Sequence, residues 1–237
     1  MRIFLTFALC LLPFAASAQT MKLIKYTTGT GFFVTRDGHI ITNNHVVENC
    51  GQISIHGDDM STGATLVAQD KEHDLALLKA AFPNNDMAYF NSMKDPLKAG
   101  DPVVIVGYPL DSWRSHQPIT RSSKIIATNG PQGEDKWLQF ADAVQHGNSG
   151  GPLLDSSGNV VGVVVAKAEL HIKNQNNNGE EIIKKSDVAI SLPVIKNFLE
   201  QNSVEYQTRD SGIYLSPDRV NDRTRGFIVN VNCRVSG

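Results

Sequence analysis

The segment Val144–Leu154, VQHGNSGGPLL, sets Ser149 among Gly147, Gly150, Gly151 and Pro152. Such a run suits neither a helix nor a strand. Glycine accepts positive φ and lets a ligand approach the backbone, so this turn can present a hydroxyl with amide N–H groups beside it. A nucleophile with an anion hole has those surroundings; a solvated turn between strands has the same composition. A serine nucleophile needs a base, and the base needs an orienting carboxylate. His45, in HIITNNHVVENC, lies just past an apolar strand ending at Thr42, where a rigid element holds it and leaves it accessible. Asp74, in KEHDLALLKA, stands immediately before Leu75, Leu77 and Leu78. An acid sheltered there can accept from a histidine Nδ1–H, fix the tautomer and stabilise the imidazolium. Each residue alone also has a plainer reading, as a surface or satisfied histidine and as a strand-starting charge.

The elements that must position these residues are mostly short strands. From Tyr26 onward, apolar β-rich runs (GFFV, HIIT, QISIHG, ATLVAQD, LALLKA, PVVIVGYP, SSKIIATNG, WLQFADAV, NVVGVVVAKA) alternate with Gly, Pro, Asn and Asp. Strands at spacings of about ten residues with turn signals between them predict an all-β barrel or sandwich. Asp37-Gly38 and Ser157-Gly158 mark hairpins. One segment reads as a helix, SLPVIKNFLEQN, with Val194, Ile195, Phe198 and Leu199 on one face and Pro193 in its first turn. The polar stretch His171–Ser186 is a surface loop, mobile or a plain hairpin excursion between two strands. Beyond the helix, GIYL and GFIVNVNC are two further strands, in a tail too short for an independent domain. The order His45, Asp74, Ser149 is one of the known triad orders, used on two-barrel β folds, and it meets an all-β pattern reached independently.

The chain has 237 residues with 22 Lys and Arg against 24 Asp and Glu, so charge gives no reason to expect nucleic acid or an anionic membrane as partner. Residues 1–18 read as a secretory signal peptide: Arg2, an apolar run Ile3–Phe14 broken at Thr6, and Ala16-Ser17-Ala18 as cleavage site, too short for a membrane anchor. A mature chain starting at Gln19 loses Cys10 and keeps Cys50 and Cys233 in an oxidising compartment, periplasmic or secreted; they are either bridged or two buried free thiols. Two cysteines without His-rich spacing are too few for structural zinc. No metal or cofactor is expected.

GTGFFVTRDGHIITNNHVVENC, HDLALLKA, GDPVVIVGYPL and HGNSGGPLLDSSGNVVGVVVA together resemble the trypsin-like serine endopeptidases of the HtrA/Deg type, over roughly Thr27–Leu199. The resemblance implies two packed six-stranded antiparallel β-barrels with the active site between them, a C-terminal helix and a short β tail. His45 would be general base, Asp74 its orienting partner and Ser149 the nucleophile, with the N–H groups of Gly147 and Ser149 as oxyanion hole. The substrate pocket would have Ala143 as floor and a wall from Val163, Val164, Val165 and Ala166, which suits small or medium aliphatic residues before the scissile bond, with Asp142 beside it as a complication. Substrates would be polypeptides, unfolded ones among them.

The expected organisation is a signal peptide at 1–18, a protease domain at 19–204 and an extension at 205–237 that packs back as an edge strand pinned by Cys50–Cys233. PDZ domains of the HtrA type find no room here, and about eight residues precede the barrel, so a monomer is expected. His146 stands where the family usually has proline. Two other readings compete. Gly147-Asn148-Ser149-Gly150-Gly151 also fits the nucleophile elbow of α/β-hydrolases, but only Asp155 and His171 follow as partners before the helix, too close and in turns. A proteolytically weak, chaperone-like or partner-activated binding protein would keep the same barrels.

Overall fold

The computed structural model describes residues 25–58, 60–110, 117–130, 133–141, 143–165, 171–173, 181–183 and 186–235. The predicted signal peptide with Cys10, together with His116, Asp142 and Ala166, lies outside the described residues. In chain order, the first part forms β1 (Tyr26–Phe33), β2 (His39–Asn43), α1 (Asn44–Val47), β3 (Cys50–His56), β4 (Ser61–Asp70), β5 (Leu75–Ala80) and β6 (Tyr89–Asn91). Then come β7 (Pro102–Gly107), β8 (Ile119–Ala127), β9 (Trp137–Phe140), β10 (Pro152–Asp155), β11 (Val160–Val165), β12 (His171–Lys173), β13 (Glu181–Ile183) and β14 (Asp187–Ser191). The chain ends through α2 (Leu192–Gln201), β15 (Gln207–Arg209), α3 (Pro217–Thr224) and β16 (Ile228–Val235).

Two barrels result. The first closes in the order β1-β16-β3-β4-β5-β2. The second runs β10-β7-β8-β9-β14-β11 and closes through the β10–β11 pairing, with β6 and β15 added in parallel beyond β11. The all-β class is the one expected from the strand rhythm, and the two six-stranded barrels are those implied by the resemblance. The apolar runs are the reason: β5 buries all its residues but Lys79, and β11 buries Val160 to Val164. One continuous core joins the first barrel to the buried Leu192, Ile195, Phe198 and Leu199 of α2, each such side chain worth about 1.5–3 kcal/mol; Val194 packs at its edge. A smaller core around Ile105, Ile125, Phe140 and Val164 fills the second barrel.

The tail departs from expectation in three ways. β16 is not an edge strand: it pairs on both sides, with β1 and with β3, and supplies the strand that closes the first barrel. Alternate apolar residues of β16 (Val229, Val231, Cys233) turn into that barrel. Cys233 is bridged to Cys50 across the strand pair, with Cα atoms 5.4 Å apart. GIYL is not a strand. Ile213 and Tyr214 are exposed, and the Ser157 hydroxyl accepts from the N–H groups of Gly212 and Ile213, which lays this segment over the β10–β11 turn instead of along a strand. Third, SPDRVNDRT folds as α3. Its signals are a Ser216 cap accepting from the Arg219 N–H, Pro217 at the first turn and Asp218 behind it.

Asp155 is the knot that fastens the tail. Its buried carboxylate accepts from Asn91, Asn159 and Ser211 side chains and from the amides of Ser157 and Asn159. The polar stretch expected as a loop contains a hairpin, with β12 paired antiparallel to β13. Among the described residues, no helix is long and apolar enough to cross a membrane.

Candidate active site

Strand β2 delivers Asn43, Asn44 and His45 to the end of the first barrel, where α1 begins, and β5 starts opposite them at Leu75. Asp74, one residue before β5, has φ of 55°, in the left-handed region. Asp tolerates that region better than most residues, yet the conformation is strained and must be held. Three neighbours hold it. The Asp74 carbonyl accepts from the Asn44 N–H and the Asn43 side chain, and its Oδ1 accepts from the His45 N–H at 2.9 Å. The remaining oxygen, Oδ2, lies 2.7 Å from His45 Nδ1. A carboxylate only accepts, so Nδ1 carries the proton and Nε2 is left as a base. The two side chains are 37% and 22% exposed, open enough for a substrate to reach the ring.

Ser149 arrives from the second barrel, in the turn before β10, and this turn is clamped against the first barrel. Fully buried Thr30 does most of it: its N–H donates to the Ser149 carbonyl at 2.8 Å and its hydroxyl to the Gly147 carbonyl at 2.7 Å. The Leu110 N–H takes the His146 carbonyl. Because the trans peptide sets N–H opposite C=O, the Gly147 N–H is turned away from Leu110. Among the described residues neither the Gly147 nor the Ser149 N–H has an acceptor. Two unpartnered amides in a buried turn call for an explanation, and a passing anion provides one.

Glycine is obligatory at two places here. Gly147 has φ of 101°, and a Cβ there would lie 2.3 Å from the Tyr108 carbonyl. Gly150 has φ of 83°, and its Cβ would lie 2.3 Å from the Thr30 carbonyl and 2.8 Å from the Asn43 nitrogen. The serine turn therefore sits directly on the segment that carries His45. The Ser149 hydroxyl itself makes no hydrogen bond to His45 among the described residues; such bonds are commonly long before substrate binds.

Of the predicted pocket, Val163 and Val164 are fully buried, and Val165 and Ala143 are partly exposed. Val164 pairs its backbone with the serine turn, accepting from Gly150 N–H and donating to Gly151 carbonyl. Sequence reasoning missed two residues. Thr30 lay inside an apparent strand run, with no signal beyond being polar among apolar neighbours. Asp187, at the start of β14, accepts with one oxygen from the N–H groups of both Ala143 and Val144, and so holds the predicted pocket floor. Its signal was an acid opening the apolar run VAI.

The family model of the trypsin-like peptidase domain matches residues 29–163, more than half of the chain. The chain belongs to that family. It is 39% identical over 142 residues to a probable periplasmic serine endoprotease DegP-like of Rhizobium meliloti, matching 58% of this chain and 27% of that protein. A protein of the same description from Chlamydia pneumoniae is 37% identical over 145 residues, matching 58% of this chain and 28% of the relative. The chain thus spans about a quarter of these curated relatives. Among solved structures, the HtrA-type protease AlgW with decapeptide is similar, with TM-score 0.59 and 26% identity over 74% of this chain and 51% of that one. The serine endoprotease from Yersinia pestis shares the fold, with TM-score 0.58 at 24% identity over 74% of this chain and 57% of that one.

Proposed function

We propose that this trypsin-like chain is a serine endopeptidase that cleaves polypeptides through an acyl-enzyme. The observation that carries the reading is the His45–Asp74 pair, 2.7 Å between Nδ1 and Oδ2, set against a serine turn with two unpartnered amides. His45 Nε2 removes the Ser149 proton as Oγ attacks the peptide carbonyl, and the N–H groups of Gly147 and Ser149 hold the oxyanion. The imidazolium, stabilised by Asp74, then protonates the leaving amine as the C–N bond breaks. Water, deprotonated by His45, attacks the acyl carbon, and the imidazolium returns the proton to Ser149 Oγ as the ester C–O bond breaks. The test is replacement of Ser149 or His45 by alanine, which lowers hydrolysis of unfolded casein by at least about 10³-fold. Unchanged hydrolysis by either variant rejects the assignment.

The residue before the scissile bond is small or medium aliphatic, supported by Ala143 as floor and the apolar Val165 beside it. A peptide library in which Lys or Arg is strongly preferred overturns this. The protein works outside the cytoplasm, in the periplasm or after secretion; the Cys50–Cys233 bridge and the printed names of its relatives support the compartment. One observation favours a second reading, that of a partner-activated binder: the Ser149 hydroxyl lacks a hydrogen bond to His45. Failure of purified protein to react with a fluorophosphonate, restored by a partner, would select it.

A further inference from the structure

Between the segment after β6, the start of β9 and the start of α2 lies a cavity of about 250 Å³ that contains no residue of the triad or of the predicted pocket. Its floor is apolar. Leu138, Val161 and Leu192 are buried there, and Leu97 forms a partly exposed side. The volume is below the roughly 300–1,000 Å³ of sites that engulf a whole small molecule. It suits one large apolar side chain and leaves the bearer of that side chain outside.

Two polar features set the chemistry of the occupant. At the start of α2, Ser191 lines the cavity; it is 3% exposed, its side chain makes no capping bond, and its Oγ has no hydrogen-bond partner among the described residues. A buried hydroxyl left this way calls for a partner. A main-chain carbonyl beside an inserted side chain supplies the acceptor.

The exposed Asp95 and Asp135 also line the cavity, and among the described residues neither is ion-paired or hydrogen-bonded. The lysines next to them in sequence are engaged elsewhere: Lys94 donates to Asp210 at 2.6 Å, and Lys136 lies over the Trp137 ring. No Lys, Arg or His lines the cavity. Two unpaired carboxylates repel an anion and attract a cation, while the apolar floor rejects a charge without an apolar body.

We propose that this cavity is a docking site for polypeptide, taking one large aliphatic or aromatic side chain that has Lys or Arg beside it in sequence. A folded protein keeps most such apolar side chains inside, so an unfolded chain is the source. The site is a second point of attachment for the chain being cleaved, a role that rests on the endopeptidase reading, whereas the binding itself does not. Its placement suits that role. Leu138 stands opposite Ala189, which stands opposite Val164, so two strand spacings, about 10 Å, separate Leu138 from the residue that pairs with the serine turn. A chain held here stays concentrated near Ser149.

The test uses the full mature chain carrying Ser149→Ala, so that no probe is cleaved, and three fluorescent pentapeptide amides: Gly-Lys-Phe-Lys-Gly, Gly-Lys-Ala-Lys-Gly and Gly-Glu-Phe-Glu-Gly. Fluorescence anisotropy shows saturable binding of the first, at least about tenfold tighter than of the other two, as burial of one apolar side chain and its flanking charges require. Asp95→Lys/Asp135→Lys reverses the charge and Pro193→Trp crowds the opening; all three positions are exposed. Each variant weakens binding of the first peptide by at least about tenfold. With Ser149 intact, the same changes raise KM for unfolded casein and leave kcat/KM for a short uncharged peptide unchanged.

Equal binding of the three peptides overturns the proposal without any cavity variant having to fold, and binding unchanged in both variants overturns it as well. Saturable binding of dodecylamine with none of the peptide assigns the cavity to an amphipathic amine and overturns the polypeptide reading. Selective peptide binding beside a Ser149 chain that neither cleaves casein nor labels with a fluorophosphonate overturns the endopeptidase reading alone.

Discussion

The buried hydroxyl of Thr30 donates to the carbonyl of Gly147 at 2.7 Å, and the same oxygen accepts from the Tyr108 N–H at 3.0 Å. One first-barrel side chain thereby ties together the serine turn and the segment leading to Leu110. Thr30→Val keeps the shape and strands both partners, a cost of about 1–3 kcal/mol. With the anion-holding amides displaced, kcat falls about 10- to 100-fold while KM changes little. Thr30→Ser, which restores the hydroxyl, recovers most of the rate in the same steady-state assay.

Asp74 to asparagine removes the acceptor that fixes the His45 tautomer. The amide can donate to Nδ1 and trap the proton on Nε2, so kcat drops about 10³–10⁴-fold with the fold intact. Kinetics together with circular dichroism check both halves of this expectation.

Asp187→Ala leaves the N–H groups of Ala143 and Val144 without their acceptor. The pocket floor loosens, and kcat/KM falls about tenfold or more while fluorophosphonate still labels Ser149. Loss of labelling together with cleavage would mean that Asp187 supports the serine turn as a whole.

The turn that carries Asp74 has its own pH dependence. Burial raises the Asp70 carboxyl, but the His73 ring and the amides of His73 and Glu72 hydrogen-bond to it and hold it below the usual carboxylate range. A depressed acid stabilises the fold above its unfolded value of about 3.9, and that stabilisation disappears as pH falls through the lower folded value. Asp70→Asn therefore lowers Tm by about 2–6 °C at pH 7, and the gap to wild type narrows as pH falls below about 4, the unfolded value. Thermal unfolding at pH 7 and at acid pH measures it.

Cys50 and Cys233 are 183 positions apart, a loop for which the chain-entropy estimate of a bridge is about 5 kcal/mol. The Cys50→Ala/Cys233→Ala protein loses about 10 °C in Tm, and reduction of wild type reproduces the loss. The effect is stronger than for a peripheral extension because β16 is a barrel strand.

What could be read in the sequence was what short-range pattern encodes. Strands with continuous apolar runs, such as LALLKA and VVGVVV, were visible, as was α2 from the spacing of Ile195, Phe198 and Leu199. His45, Asp74 and Ser149 stood out because their types, order and flanking glycines agree. Hidden features were those set by distant pairing. Nothing local in IVNVNCRV says that it slots between β1 and β3, and the exposed GIYL has a strand's composition without a strand's neighbour. Thr30 and Asp187 act on backbone groups 117 and 44 positions away, which no local pattern reports.

Whether Ser149 is a nucleophile activated by His45 is decided by active-site titration of the purified mature protein with a fluorophosphonate. One label per chain is expected, mapped to Ser149, absent in Ser149→Ala and strongly slowed in His45→Ala. Wild-type protein that stays unlabelled, or labels at another residue, would contradict it.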